Sequence, residues 1–187
     1  MRLELKKTSL SEKEFSALLI ASLRGMGETP TKSQAEILTA HVWFETGSLQ
    51  HCYHWNFGNL VAPKAWSGNT WKASNNPLTF KAYSSASEGL RDYLSLVKRV
   101  GLLQAAKSGD VSIFSARIAS SNYTPGIDVD STAKTLKKLA EGFASKGLFS
   151  ELPEGSPIKE SRQSKSGILP VLLVGSLGAF YLWKKKP

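Results

Sequence analysis

A chain of 187 residues has room for one hydrophobic core of ordinary size plus an appendage. Its apolar content of 41% and aromatic content of 10% exclude a disordered chain, and its single cysteine, Cys52, excludes an intrachain disulfide. The formal charge of +9 draws in polyanions, whether nucleic acid, anionic lipid or the teichoic acids and peptide carboxylates of a cell wall, and does not choose among them.

The first residues, Met1 to Lys7 and Ser9 to Glu14, contain no uninterrupted apolar stretch and no small-residue cleavage site, so no signal peptide is expected. Ser11 is placed to cap a first helix carrying Phe15, Leu18, Leu19 and Leu23 on one side, ending at Gly25 to Gly27. A second helix is predicted with Thr29 as cap and Pro30 at its first position, running through Ile37, Leu38 and Val42 to Gly47. From Gly47 to Ser87 helical spacing gives way to Gly, Asn, Pro, Trp and Thr, which predicts a long loop or a small β-hairpin lobe. Ser87 opens a third helix with Leu90, Tyr93, Leu94 and Val97 at helical spacing. Asp110 is placed to cap a fourth over Val111 to Ile118, and Asp130 or Ser131 a fifth with Leu136, Leu139, Ala140 and Phe143.

Residues 1–149 are thus read as one mainly α domain. Residues 150–166, with two Pro, one Gly, five Ser and mixed charges, are read as a flexible linker. Gly167 to Trp183 is a run of 17 residues without a charge, long enough for a helix of roughly 25 Å, and residues 184–187 are a basic tail whose lysines can snorkel. Tyr181 and Trp183 suit an interface, so 167–183 is expected to be a single-pass transmembrane helix that contacts lipid. The alternative is a buried C-terminal helix of the domain, against which the linker composition argues.

Glu45 follows Ile37, Leu38 and Val42 by 8, 7 and 3 residues, which at 3.6 residues per turn puts it on the face those side chains bury. Burial favours the protonated form of a carboxyl group, as does the negative end of a helix, and a general acid requires that form. The other possibility on periodicity alone is a helix-end carboxylate rotated into solvent. From Thr46 to Ser87 there is no Asp or Glu, while Tyr53, Trp55, Phe57, Trp66, Trp71, Phe80 and Tyr83 are interleaved with Asn56, Asn59, Asn69, Asn75 and Asn76. Rings that stack on pyranose C–H faces, beside neutral amides for the hydroxyls, are what a sugar-binding surface needs; part of this aromatic content is expected to be packing.

Glu45-Thr46-Gly47 at a helix end, then Trp55 to Ala62 (WNFGNLVA), resembles the E-[ST]-G … N-x-x-G signature of glucosaminidase-type enzymes in the lysozyme superfamily. The likeness continues through Trp66-Ser67-Gly68, through Phe80 to Ser85 ahead of Gly89, Asp92 and Tyr93, and through Asn122-Tyr123-Thr124. The resemblance, over roughly residues 30 to 145, implies a lysozyme-like helical fold with a cleft and cleavage of the β-1,4 bond between N-acetylated amino sugars of peptidoglycan. It assigns Glu45 as catalytic acid and Tyr123 as the aromatic beside it; Trp55, Asn56, Phe57, Gly58, Asn59, Trp66, Trp71 and Tyr83 are the expected substrate-binding residues. Some relatives use a second carboxylate in the lobe, which the acid-free stretch lacks. A lytic transglycosylase needs one acid only and is the favoured reading; a hydrolase assisted by the substrate's acetamido group is the alternative.

Two other classes compete. His41 and Glu45 stand at i, i+4, and His51, Cys52 and His54 follow, but His51-Cys52-Tyr53-His54 is too tight for three tetrahedral ligands, so neither a metal nor another cofactor is expected. A wall-binding module without turnover would share the same palette. The scattered lysines form no basic recognition helix, so no nucleic-acid partner is expected. The expected location is a membrane, either one enclosed in a bacteriophage virion, with the enzyme opening the wall at entry, or the bacterial inner membrane.

Overall fold

The structure is a computed structural model, and it describes residues 3–73, 76–121 and 127–160. Among them are six helices and one two-stranded sheet: α1 (Glu12–Gly25), α2 (Lys32–Thr46), β1 (Thr70–Trp71), β2 (Phe80–Lys81), α3 (Ala86–Arg99), α4 (Leu102–Lys107), α5 (Val111–Ser120) and α6 (Val129–Ser145). The expected mainly α domain with a small hairpin lobe is what forms.

α1 begins where its cap residue sits. Ser11 Oγ accepts from the Glu14 amide at 3.2 Å and Glu14 Oε2 accepts from the Ser11 amide at 2.7 Å, a reciprocal capping box that also holds the Glu14 carboxyl below its usual range. α2 starts two residues later than predicted, at Lys32, with Thr31 and not Thr29 as cap. The reason is tertiary: Thr31 Oγ1 takes the Gln34 amide, and the Lys32 amide is satisfied by the Pro153 carbonyl at 3.0 Å, so the helix opens where both partners lie. α3 is capped by Ser85 instead of Ser87, and α6 by Asp128 instead of Asp130 or Ser131. α5 has the predicted cap, Asp110, whose carboxylate accepts from the Ser112 and Ile113 amides. α4 escapes sequence reading because six residues make too little of a pattern; Gly101, at φ 78°, turns the chain so that Leu102, Leu103, Ala105 and Ala106 are buried.

α2 is the axis of the fold. From Ser33 to Trp43 every residue is buried, and it packs against α1, α4 and above all α6. The core around it includes Phe15, Leu19, Ile37, Leu38, Tyr93 and Leu136, each at most 0% exposed, and burying each such side chain is worth roughly 1.5–3 kcal/mol. The lobe has a small core of its own, in which Trp71 stacks on Phe80 at 4.7 Å with Ala82 and Tyr53 beside them. The N-terminal segment lies along this lobe: the Leu3 amide donates to Thr70 O and the Thr8 amide to Cys52 O, both at 2.8 Å.

Residues 150–160, the first part of the expected linker, run along the domain. Phe149 and Leu152 are buried in the core, Lys159 exchanges backbone bonds with Gly109 and Val111 at 2.9 Å, and Ile158 packs against the core edge. Composition reads Pro, Ser and Gly here as loose, but the segment is tied by backbone bonds that composition does not register. Residues 161–166, the apolar run 167–183 and the tail 184–187 lie outside the described residues. No helix among the described residues is long and apolar enough to cross a membrane.

Two features of this scaffold carry expected results. Glu28, in the turn between α1 and α2, meets Lys107 at 2.6 Å and Lys98 at 2.9 Å, tying that turn to α4 and α3. These two contacts, Lys107 first, hold its carboxyl below the ordinary glutamate value of 4.5. A group depressed in the folded state stabilises above its unfolded value and loses that contribution as pH falls through the folded one. Thermal melts should therefore show the protein losing stability more steeply than Glu28→Gln as pH drops below 4.5; parallel curves would contradict this. Cys52 is fully buried, and burial pushes its thiol up to about 12. A thiol reagent should accordingly leave the native protein unlabelled and modify one thiol after denaturation.

Candidate functional site

Glu45 is the penultimate residue of α2, and its side chain is 5% exposed. Gly47 ends the helix in the left-handed conformation, φ 55°, with its amide on Trp43 O. The Glu45 carbonyl, otherwise an orphan of the helix end, accepts from Asn59 Nδ2 at 2.5 Å. The loop that follows Glu45 is thereby pinned beneath it.

That loop is unusual in its backbone. Ser48, Leu49, His54, Trp55 and Asn59 all have φ between 48° and 63°, a region that costs a non-glycine residue about 1 kcal/mol or more. Such strain persists only where neighbours over-determine it, and several do. Thr46 Oγ1 accepts from the Leu49 amide and donates to Val42 O. Thr8 Oγ1 accepts from the Trp55 amide, and His54 Nε2 faces Glu4 O at 2.6 Å and the Lys6 amide at 3.1 Å. Asn56 uses its whole side chain: Nδ2 donates to Leu60 O and Lys81 O, and Oδ1 accepts from the Leu60 amide.

The residues expected to bind substrate therefore divide. Trp55, Asn59 and Trp66 are partly exposed and stand at the surface. Asn56, Phe57, Gly58, Trp71 and Tyr83 are buried. Phe57 packs edge-on against Phe15 at 5.3 Å, Trp71 is the centre of the lobe core, and Asn56 ties the loop to the strand carrying Lys81. These five shape the surface from behind. Tyr123 lies outside the described residues, as do Asn75 and Asn122.

A polar cluster fastens the lobe to α3. Lys81 Nζ sits over the Trp66 ring at 4.4 Å and pairs with Asp92 at 2.7 Å, while the Tyr83 hydroxyl donates to Asp92 Oδ2 at 2.6 Å. Burial, and then the Asp92 carboxylate, push the Tyr83 phenol far above its ordinary range, so it remains a donor. Trp66 is held further by Nε1 donating to Asn69 O at 3.0 Å and by edge contact with Tyr83. Asp92 brings a carboxylate to the edge of a lobe that has none in its own sequence, but its Oδ2 is already taken by Lys81 and Tyr83.

Behind Glu45 lies a buried imidazole. His41, one turn earlier on α2, is 0% exposed, with Nε2 at 3.4 Å from Glu45 Oε1 and Nδ1 at 2.7 Å from the Tyr93 hydroxyl. Phe114 closes edge-on against its ring at 5.2 Å. The i, i+4 spacing of His41 and Glu45 is visible in the sequence, whereas Tyr93 there is one more apolar-face residue of α3. Among the described residues no group of three or more His, Cys, Asp or Glu side chains is arranged to hold a metal ion.

No protein-family model and no curated protein matches the chain. Solved structures do. The chain is similar to a peptidoglycan hydrolase from Sphingomonas sp. A1, with 22% identity over 80% of this chain and 93% of that one and a TM-score of 0.51. It is also similar to the glycoside hydrolase domain of FlgJ from Salmonella typhimurium, with 18% identity, 76% and 94% coverage and a TM-score of 0.53. The described domain thus has the fold of these glycoside hydrolase domains.

Proposed function

We propose that the chain is a glycosidase acting on the glycan strands of bacterial peptidoglycan, with Glu45 as its general acid. The observation that carries this reading is a nearly buried carboxyl group at the end of the central helix of a glycoside hydrolase fold, beside an acid-free lobe of rings and amides. Glu45 gives its proton to the glycosidic oxygen as the C1–O bond breaks, which leaves positive charge at the anomeric carbon. The lobe has no Asp or Glu in its own sequence from 46 to 87, and Asp92 Oδ2 on α3 is engaged by Lys81 and Tyr83, which supports a route without a carboxylate nucleophile. The Glu45 carboxylate then takes the proton of the muramic 6-hydroxyl while that oxygen bonds to C1, so the product is the 1,6-anhydro sugar of a lytic transglycosylase. Trp55 and Trp66 supply stacking faces, Asn59 an amide, and Tyr123 a group to orient the sugar at the bond that breaks. The reaction requires no cofactor.

In this reading residues 167–183 anchor the enzyme in a membrane as a single span, in a phage virion or the bacterial inner membrane, with the domain reaching past Lys159. Muropeptide analysis of sacculi digested by the full chain tests the chemistry. Anhydro products support the transglycosylase, and reducing ends replace it by hydrolysis. Binding to sacculi without soluble product makes the chain a wall-binding module and overturns the proposal.

A further inference from the structure

The buried pair behind Glu45 constrains how the acid is held. Tyr93 and His41 are both 0% exposed, and the Tyr93 hydroxyl has His41 Nδ1 at 2.7 Å. Burial first, and the Glu45 charge second, hold the Tyr93 phenol well above its ordinary range, so the hydroxyl keeps its proton. With the Tyr93 hydroxyl as donor, Nδ1 is the acceptor and the ring proton of His41 lies on Nε2, the nitrogen that stands 3.4 Å from Glu45 Oε1. Phe114 from α5 packs edge-on against the ring at 5.2 Å. Among the described residues, the groups turned toward His41 include Tyr93 on α3, Phe114 on α5 and Glu45 on its own helix.

From this arrangement we infer that His41 is a positioning residue for Glu45: with its tautomer set by Tyr93, its Nε2–H faces Oε1 and so confines the acid proton to Oε2. An oxygen that faces an N–H cannot also point a proton at it, so the acidic hydrogen resides on the other carboxyl oxygen. Once that proton has left, the same N–H stabilises the carboxylate that must act next as base. The inference rests on the reading of Glu45 as the general acid.

The test combines a spectroscopic and a kinetic measurement on the full chain. Imidazole 15N shifts should show the Nε2–H tautomer in the parent protein and a mixture of tautomers in Tyr93→Phe, which keeps the ring and loses only the hydroxyl. His41→Ala should lower kcat on sacculi about 10²-fold with little change in KM. His41→Gln, which returns an N–H near the position of Nε2, should recover most of kcat. Adding Tyr93→Phe to His41→Gln should then change little, since an amide has no tautomer to choose. An Nδ1–H tautomer in the parent protein overturns the inference, as do His41→Ala and Tyr93→Phe variants that lose melting temperature but keep kcat. If Glu45→Gln retains activity, the reading of the acid fails, and this inference fails with it. If Glu45→Gln is inactive while His41→Ala keeps its kcat, only the role of His41 is rejected.

Discussion

Glu45→Gln is expected to lower muropeptide release by about 10³-fold or more, the scale of general acid catalysis, with the melting temperature nearly unchanged. The substitution is close to isosteric, and the helix-end bond from Asn59 reaches the backbone carbonyl of residue 45, which it does not alter. The amide oxygen can face His41 in place of Oε1, so the buried neighbour keeps its contact. What is removed is the proton that a glycosidic oxygen must receive. Chromatography of soluble products, alongside a thermal melt, separates the two effects: a folded, inactive variant is the expected result, and a folded variant at parental rate would end the assignment of Glu45.

The largest expected effect on stability lies at Gly89→Ala. A Cβ on Gly89 would stand 1.9 Å from Trp55 O, 2.9 Å from Trp55 C and 3.1 Å from Tyr83 Cδ2. Neither side can give way easily. Trp55 is fastened by Thr8, the Tyr83 amide is bonded to His54 O at 3.0 Å, and α3 is seated by Leu90 and Tyr93 beneath it. Overpacking against fixed backbone should cost about 3 kcal/mol, and activity should fall as well because the displaced loop carries Asn59. Gly142→Ala supplies the control, since nothing lies within 4 Å of its added carbon and a helical Gly to Ala exchange should gain up to about 1 kcal/mol. Denaturant midpoints of the two variants should move in opposite directions; a Gly89→Ala midpoint equal to that of the parent would show that the loop is free to shift.

The burial expected for Glu45 is found, but periodicity was not its cause. Helical spacing puts Glu45 on an apolar stripe, whereas α2 has no polar face over most of its length and buries Gln34, Glu36, Thr39 and His41 along with its aliphatic residues. A central helix buries its surroundings on all sides, and a moment-based reading detects only asymmetry. The aromatic lobe shows the opposite limitation. Trp66 and Trp71 are the same residue type five positions apart, yet Trp66 stands at the surface under Lys81 while Trp71 is sealed against Phe80. Strand pairing of Thr70 with Lys81 and Trp71 with Phe80 decides which ring faces inward, and two-residue strands leave too short an alternation to read beforehand.

Local chemistry was thus legible from the chain alone: the Ser11 and Asp110 caps, the stop at Gly47, the apolar face of α3 and the absence of acid from 46 to 87 each depend on residues a few positions apart. Tertiary structure decided what depends on distant partners. The Pro153 carbonyl moved the start of α2, Lys159 drew residues 150–160 onto the domain, and Tyr93, 52 residues from His41, met the imidazole behind Glu45. A cap or a turn is settled by bonds within one stretch of backbone, whereas burial and the pairing of polar groups are settled by whichever segments the core brings together.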